Sequence, residues 1–122
     1  MSDAQPGATA PGTGPLYRFF AADHDRLDAL LRRATAGSGP IDLTVFGSFR
    51  AGLLRHIGME EKVLLLAARE ARGGRPLEIA ERLRVDHGAI ASLLVPTPTR
   101  ALVAELVSVL EVLKHIEVNL EL

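Results

Sequence analysis

This chain of 122 residues contains no cysteine. It can therefore form neither a disulfide nor a thiolate metal site, and thiol chemistry is excluded. Histidine and the carboxylates remain as its only strong metal ligands. Any metal bound by this chain has to be held by nitrogen and oxygen atoms.

An excess of either charge is also missing, since 14 Lys and Arg stand against 15 Asp and Glu, for a formal net charge of −1. No basic field attracts nucleic acid or an anionic membrane, so neither is an expected partner. No apolar run approaches the ~18 residues of a membrane span, and residues 1–15 lack the basic start and apolar stretch of a signal peptide. The expected location is the cytoplasm.

The length and an apolar content of 48% predict one domain with one core. Residues 1–14 are rich in Gly, Ala, Pro and Thr and contain no large apolar residue except Met1. This composition predicts a disordered tail, followed by a helical domain over residues 15–122.

Helical periodicity runs through that domain, and no period-two alternation competes with it. Pro15 opens a predicted helix over 15–35, and the string GSGP at 37–40 ends it. The next two helices are separated by the turn ARGGRP at 71–76, and prolines at 96 and 98 precede the last. The predicted fold is all-α, an up-down-up-down antiparallel four-helix bundle. Candidate helix caps are Asp42 or Thr44 for the second helix and Thr97 or Thr99 for the fourth.

Each predicted helix carries an inward stripe with steps of three and four residues. Three glycines in the second helix, at 47, 52 and 58, are expected to let neighbouring helices approach closely. The predicted stripes are Phe20, His24, Leu27 and Leu31; Phe46, Phe49, Leu53, His56, Glu60, Val63 and Ala67; Ala80, Leu83, His87, Ile90 and Leu94; and Leu102, Leu106, Val109, Leu113, Ile116 and Leu120.

The four histidines of the chain fall one in each predicted helix, at His24, His56, His87 and His115. Their intervals of 32, 31 and 28 residues each match one helix plus one turn, so all four rings can converge on one interior point. Burying four imidazoles without partners would cost about 1–3 kcal/mol each, against a domain stability of about 5–15 kcal/mol. A shared metal removes that penalty. The alternative is that some rings bond to Asp, Ser or backbone groups while others reach solvent.

His56 and Glu60 form a sharper motif, because a spacing of four residues stacks their side chains on one helix face. Such a pair can serve two adjacent metals, with the histidine as a terminal ligand and the glutamate as a bridge. The spacing alone is common on solvated helices. Its position on the inward stripe gives it weight.

This constellation resembles the hemerythrin-like family, the HHE cation-binding domains. The matching segments are HDRLDALL at 24–31, LLRHIGMEEKVLLL at 53–66, DHGAI at 86–90 and VLKHIEVNLEL at 112–122, and the likeness spans about residues 16–122. The resemblance implies a four-helix bundle around a non-heme di-iron centre. Its implied metal ligands are His24, His56, Glu60, His87 and His115.

The chain departs from the family pattern at Asn119, four residues after His115, where a second carboxylate is expected. Asparagine offers only a neutral, weaker oxygen ligand. The implied cofactor is therefore two iron ions, or a single retained metal because this carboxylate is missing.

Other acidic residues lie beside the implied ligands. Asp23 and Asp25 flank His24, and Asp86 precedes His87. Because adjacent helical residues diverge by about 100°, surface charges are the favoured interpretation, with support of a ligand ring as the alternative. Glu61 is interpreted as a solvated residue, with a reserve metal ligand as the alternative.

The function that the resemblance implies is binding of O₂ or a related small molecule, NO or peroxide, for carriage or sensing. Two alternatives stay open. One is a di-iron oxidoreductase of the peroxidase, catalase or NO-handling type, and the other is an iron-binding or storage module. The sequence leaves enzymatic activity undecided.

Overall fold

The computed structural model describes residues 15–70 and 75–118. Four α-helices make up these ranges: Pro15–Ala34 (α1), Leu43–Glu70 (α2), Arg75–Leu93 (α3) and Arg100–Val118 (α4). No strand occurs in them, so the all-α prediction is confirmed. The tail predicted for residues 1–14 lies outside the described residues. Side chains at 16–17, 64–65, 67–70, 75–80 and 114–118 are likewise not described.

Two of the predicted caps begin helices. The Oδ1 atom of Asp42 accepts hydrogen bonds of 3.1 Å from the backbone N–H groups of Thr44 and Val45. Thr99 Oγ1 accepts a bond of 3.1 Å from the N–H of Leu102. Each bond satisfies a donor that the first turn of a helix leaves without an intrahelical partner. Asp42 and Thr99 are therefore the caps of α2 and α4.

Arg100 joins the start of α4 to the connection between α1 and α2. Its guanidinium donates to the carbonyl oxygens of Thr35 at 3.1 Å, Gly37 at 3.0 Å and Gly39 at 2.6 Å. Gly37 has a φ of +80°, a left-handed conformation that glycine adopts without steric cost after a helix end. The first turn of α4 is thus held beside the end of α1.

Packing follows the chain order, with α1 against α2, α2 against α3 and α3 against α4. The described part of the predicted stripes on α1, α2 and α3 is buried, with partial exposure only at His24 and Val63. On α4 the buried positions are Val103, Leu106, Leu110 and Leu113, whereas Leu102 and Val109 are only partly buried. Leu106 and Leu113 are buried as predicted, but the rest of the buried face is formed by Val103 and Leu110 in place of Leu102 and Val109. Leucine and valine surround much of this helix, so periodicity alone does not define which side packs.

Of the three glycines that were expected to allow close packing, only Gly52 does so. A Cβ atom at Gly52 would lie 2.8 Å from Leu27 Cδ2 and 3.1 Å from a guanidinium nitrogen of Arg26. A Cβ atom added at Gly47 or at Gly58 would have no neighbouring atom within 4 Å, and both glycines are exposed. The absence of a side chain at Gly52 therefore lets α1 approach α2.

Gly47→Ala and Gly52→Ala should have opposite effects on the free energy of unfolding. Alanine favours a helix interior by about 1 kcal/mol over glycine, and Gly47→Ala meets no obstacle. Gly52→Ala must displace the buried Leu27, and overpacking of a core costs about 1–3 kcal/mol. Denaturant unfolding of both variants measures the difference. Equal stabilisation by the two substitutions would contradict the close approach at Gly52.

No helix within the described ranges is both long and apolar enough to cross a membrane.

Candidate metal centre

His24 of α1 and His56 of α2 face each other across the contact between these helices. Their ring centroids are 4.4 Å apart and their planes are nearly perpendicular, at 85°. The Nε2 atoms of both rings are buried. Phe20, one turn before His24, packs its ring edge-on against His56 with centroids 5.2 Å apart. Phe20 therefore covers one side of the His56 ring.

Glu60 lies one turn after His56 and its side chain is only 2% exposed. Its Oε2 atom is 3.5 Å from His56 Nε2. Its Oε1 atom is 3.2 Å from Nε2 of His87, which reaches it from α3. One buried carboxylate therefore turns its two oxygens toward imidazoles from two different helices.

Three of these groups are close enough to share one metal ion. Ligand atoms of His24, His56 and Glu60 all lie within 4.8 Å of one another. Two donors bound at about 2.0–2.2 Å to the same ion are at most about 4.4 Å apart. Three donors cannot all lie opposite one another on one ion, so side-chain shifts of the order of 1 Å would bring the three groups into one coordination sphere. Two imidazoles and a carboxylate fit iron, and they fit zinc and other divalent transition metals as well.

The outward ring nitrogens of His56 and His87 contact carboxylates. His56 Nδ1 is 2.8 Å from Oδ2 of Asp23, and His87 Nδ1 is 3.0 Å from Oε2 of Glu61. The other oxygen of Asp23 accepts two hydrogen bonds from Arg26, at 3.0 and 2.9 Å. Each of these two histidines thus lies between an outer carboxylate and the central Glu60.

These contacts change the interpretation of the acidic residues. The favoured interpretation of Asp23 as a surface charge was wrong, because it supports a ring, and that ring belongs to His56 rather than to the adjacent His24. Glu61 is 37% exposed but bonds to His87, so it is not simply solvated. Asp25 is exposed, as expected. Asp86 is partly buried and lies 4.0 Å from Arg82 on its own helix. The spacing of residues along one helix could not predict the contacts of Asp23 with His56 and of Glu61 with His87, because each contact joins two helices.

The surroundings shift two pKa values. Burial alone would raise the pKa of the Asp23 carboxyl. Hydrogen bonds and charge interactions with His56 and Arg26 lower this pKa by a larger amount, so the net shift is downward. Burial alone would lower the pKa of His87. Hydrogen bonds and charge interactions with Glu60 and Glu61 raise this pKa by a larger amount, so the net shift is upward. A metal ion that binds His87 Nε2 has to displace a proton that these carboxylates stabilise, so binding releases protons.

The structure brings four of the five predicted ligands together, namely His56, Glu60 and His87, which are buried, and His24, which is partly exposed. His115 lies in α4, but its side chain is outside the described part of the structure. Asn119 lies beyond the described residues altogether. The second carboxylate position therefore stays a prediction from the sequence.

Comparisons of this chain with family models, with curated proteins and with solved structures find no match. The hemerythrin-like interpretation therefore stays a prediction from the residue pattern.

Proposed function

We propose that this chain is a hemerythrin-like protein that binds O₂, or a related small molecule such as NO or peroxide, at a non-heme di-iron centre, for carriage or sensing. In this proposal the four helices form an up-down-up-down bundle. The metal ligands are His24, His56, Glu60, His87 and His115.

The position of Glu60 carries the proposal. A single carboxylate that places one oxygen 3.5 Å from His56 and the other 3.2 Å from His87 has the arrangement of a bridge between two metal positions. Two-metal sites in proteins hold their ions about 3.5–4 Å apart, a distance that one carboxylate spans.

The two positions are unequal. The first combines His24, His56 and Oε2 of Glu60, and two histidines with one carboxylate are typical of non-heme iron sites that keep open coordination positions. The second has His87 and Oε1 of Glu60, with His115 as its further ligand. Because Asn119 replaces a carboxylate, this second position neutralises less charge. We expect it to bind metal more weakly.

The protein holds these ligands in a buried environment. Phe20 covers His56, and the exposed fractions of His56, Glu60 and His87 are all 2% or less. Iron bound here would supply open coordination positions for a small molecule, while the surrounding side chains exclude bulk water and larger ligands. Such a setting suits a diatomic molecule or peroxide.

Absorption spectra of iron-loaded protein, prepared without air and then exposed to O₂, test this function. A stable oxygenated band without turnover is the expected result. Protein loaded with Zn²⁺, which has no redox chemistry, is the control and should show no band. Steady consumption of peroxide or NO would instead identify an oxidoreductase, and labile iron without any reaction would identify a store. Either outcome would overturn carriage and sensing.

A further inference from the structure

Two carboxylates outside the ligand set contact the ligand rings from behind. Asp23 of α1 meets Nδ1 of His56 at 2.8 Å, and Glu61 of α2 meets Nδ1 of His87 at 3.0 Å. Both contacts cross from one helix to the next. In each case the opposite nitrogen of the ring, Nε2, faces Glu60.

The chemistry of imidazole makes this pairing directional. A neutral ring has one N–H donor and one nitrogen with a free electron pair, and an ionised carboxylate can only accept a hydrogen bond. At His56 the carboxylate of Asp23 is closer to Nδ1, at 2.8 Å, than that of Glu60 is to Nε2, at 3.5 Å, so Asp23 holds the ring proton on Nδ1 and leaves the electron pair of Nε2 to bind a metal. At His87 the distances are 3.0 Å to Glu61 and 3.2 Å to Glu60, so these two carboxylates compete for the proton until Glu60 binds a metal. The same contact fixes the orientation of the ring and makes it a better electron donor.

We propose that Asp23 and Glu61 are positioning residues, which keep the proton of His56 and His87 on Nδ1 and present Nε2 of both rings to the metals. The role in metal binding rests on the proposed function. The choice of ring nitrogen does not, because it is a property of the protein's own side chains.

The two supports differ in strength. The side chain of Asp23 is 16% exposed, and Arg26 fixes its second oxygen with two hydrogen bonds. The side chain of Glu61 is 37% exposed. Solvent therefore competes more for Glu61, and we expect the loss of Asp23 to have the larger effect.

Paired substitutions of these residues test the proposal. Asp23→Leu and Glu61→Leu remove the acceptor, whereas Asp23→Asn and Glu61→Gln keep one acceptor oxygen. Asp25→Leu and Glu81→Leu, at exposed positions, are the matched controls. For each protein two quantities are measured. One is the protonated ring nitrogen, by ¹⁵N NMR of the histidines in metal-free protein at alkaline pH, and the other is the affinity for Zn²⁺.

The wild type should carry the proton of His56 on Nδ1, and it should share the proton of His87 between Nδ1 and Nε2 with the larger fraction on Nδ1. The leucine variants should move it to Nε2 in the affected ring and lose about 10- to 100-fold in Zn²⁺ affinity, the typical effect of removing such a partner. Asp23→Asn and Glu61→Gln should retain more of the Nδ1 protonation and of the Zn²⁺ affinity than the leucine variants do. The control variants should change neither quantity. Should a leucine variant not fold, the amide variant of the same residue carries the test at smaller amplitude.

Unchanged ring protonation in the leucine variants would overturn the proposal. Unchanged Zn²⁺ affinity beside a displaced proton would overturn its metal-binding part. A wild type that binds no metal would refute the proposed function and that same part, while the NMR result still decides whether Asp23 and Glu61 select the ring nitrogen.

Discussion

Glu60→Gln should weaken metal binding at both positions of the centre, by more than the roughly 100-fold that loss of an outer hydrogen-bond partner can cause. Glutamine has nearly the same size but lacks the charge, and it offers a metal only one oxygen in place of two. Because the oxygens of Glu60 face His56 and His87 at 3.5 and 3.2 Å, one substitution reaches both positions. No single histidine has this property.

An Fe²⁺ titration without air measures this effect. His24→Ala is the informative comparison, because it should weaken only the position that His24 shares with His56 and Glu60. Glu105→Gln, at an exposed position of α4, is the control for loss of a carboxylate elsewhere and should bind as the wild type does. If Glu60→Gln retained two metal ions at wild-type affinity, Glu60 would not be the bridge.

Asn119→Glu should tighten the binding of the second metal ion, on the order of tenfold or more, by restoring a charged oxygen ligand four residues after His115. The wild type should bind its two ions with clearly different affinities, and the variant should bring these affinities closer together. The affinity of the first position should change little, since its ligands are His24, His56 and Glu60.

The same Fe²⁺ titration, with Asn119→Gln as a control of equal length and no charge, separates the effect of the carboxylate from that of a longer side chain. Unchanged stoichiometry and affinity in Asn119→Glu would show that residue 119 does not reach the metal. The asymmetry of the centre would then need another cause.

The helices and their limits could be predicted from local sequence. Caps such as Asp42 and Thr99 act through their own backbone neighbourhood, and the stripes on α2 and α3 alternate clearly between apolar and polar positions. The face of α4 could not be predicted in the same way. Apolar residues such as Leu102 and Val103 lie side by side there, and only packing in the folded chain decides that Val103 is the buried one.

In the site, too, contacts within one helix could be predicted from the sequence, whereas contacts between helices could not. His56 and Glu60 share one helix face, so their proximity follows from a spacing of four residues. The contacts of Asp23 with His56 and of Glu61 with His87 depend on how far each helix is rotated and shifted against its neighbour. No periodicity within a single helix contains that information. Sequence reasoning therefore found the cluster but assigned its outer carboxylates to the surface.

Fe²⁺ binding measured without air on the wild type and on His56→Ala decides whether these histidines and Glu60 hold iron. His56 lies in the middle of the cluster, in contact with His24, Glu60 and Asp23. We predict that the wild type binds iron, one ion more tightly than the other, and that His56→Ala loses the tighter ion. A wild type without bound iron, or a variant with unchanged affinity, would show that this cluster is not an iron site.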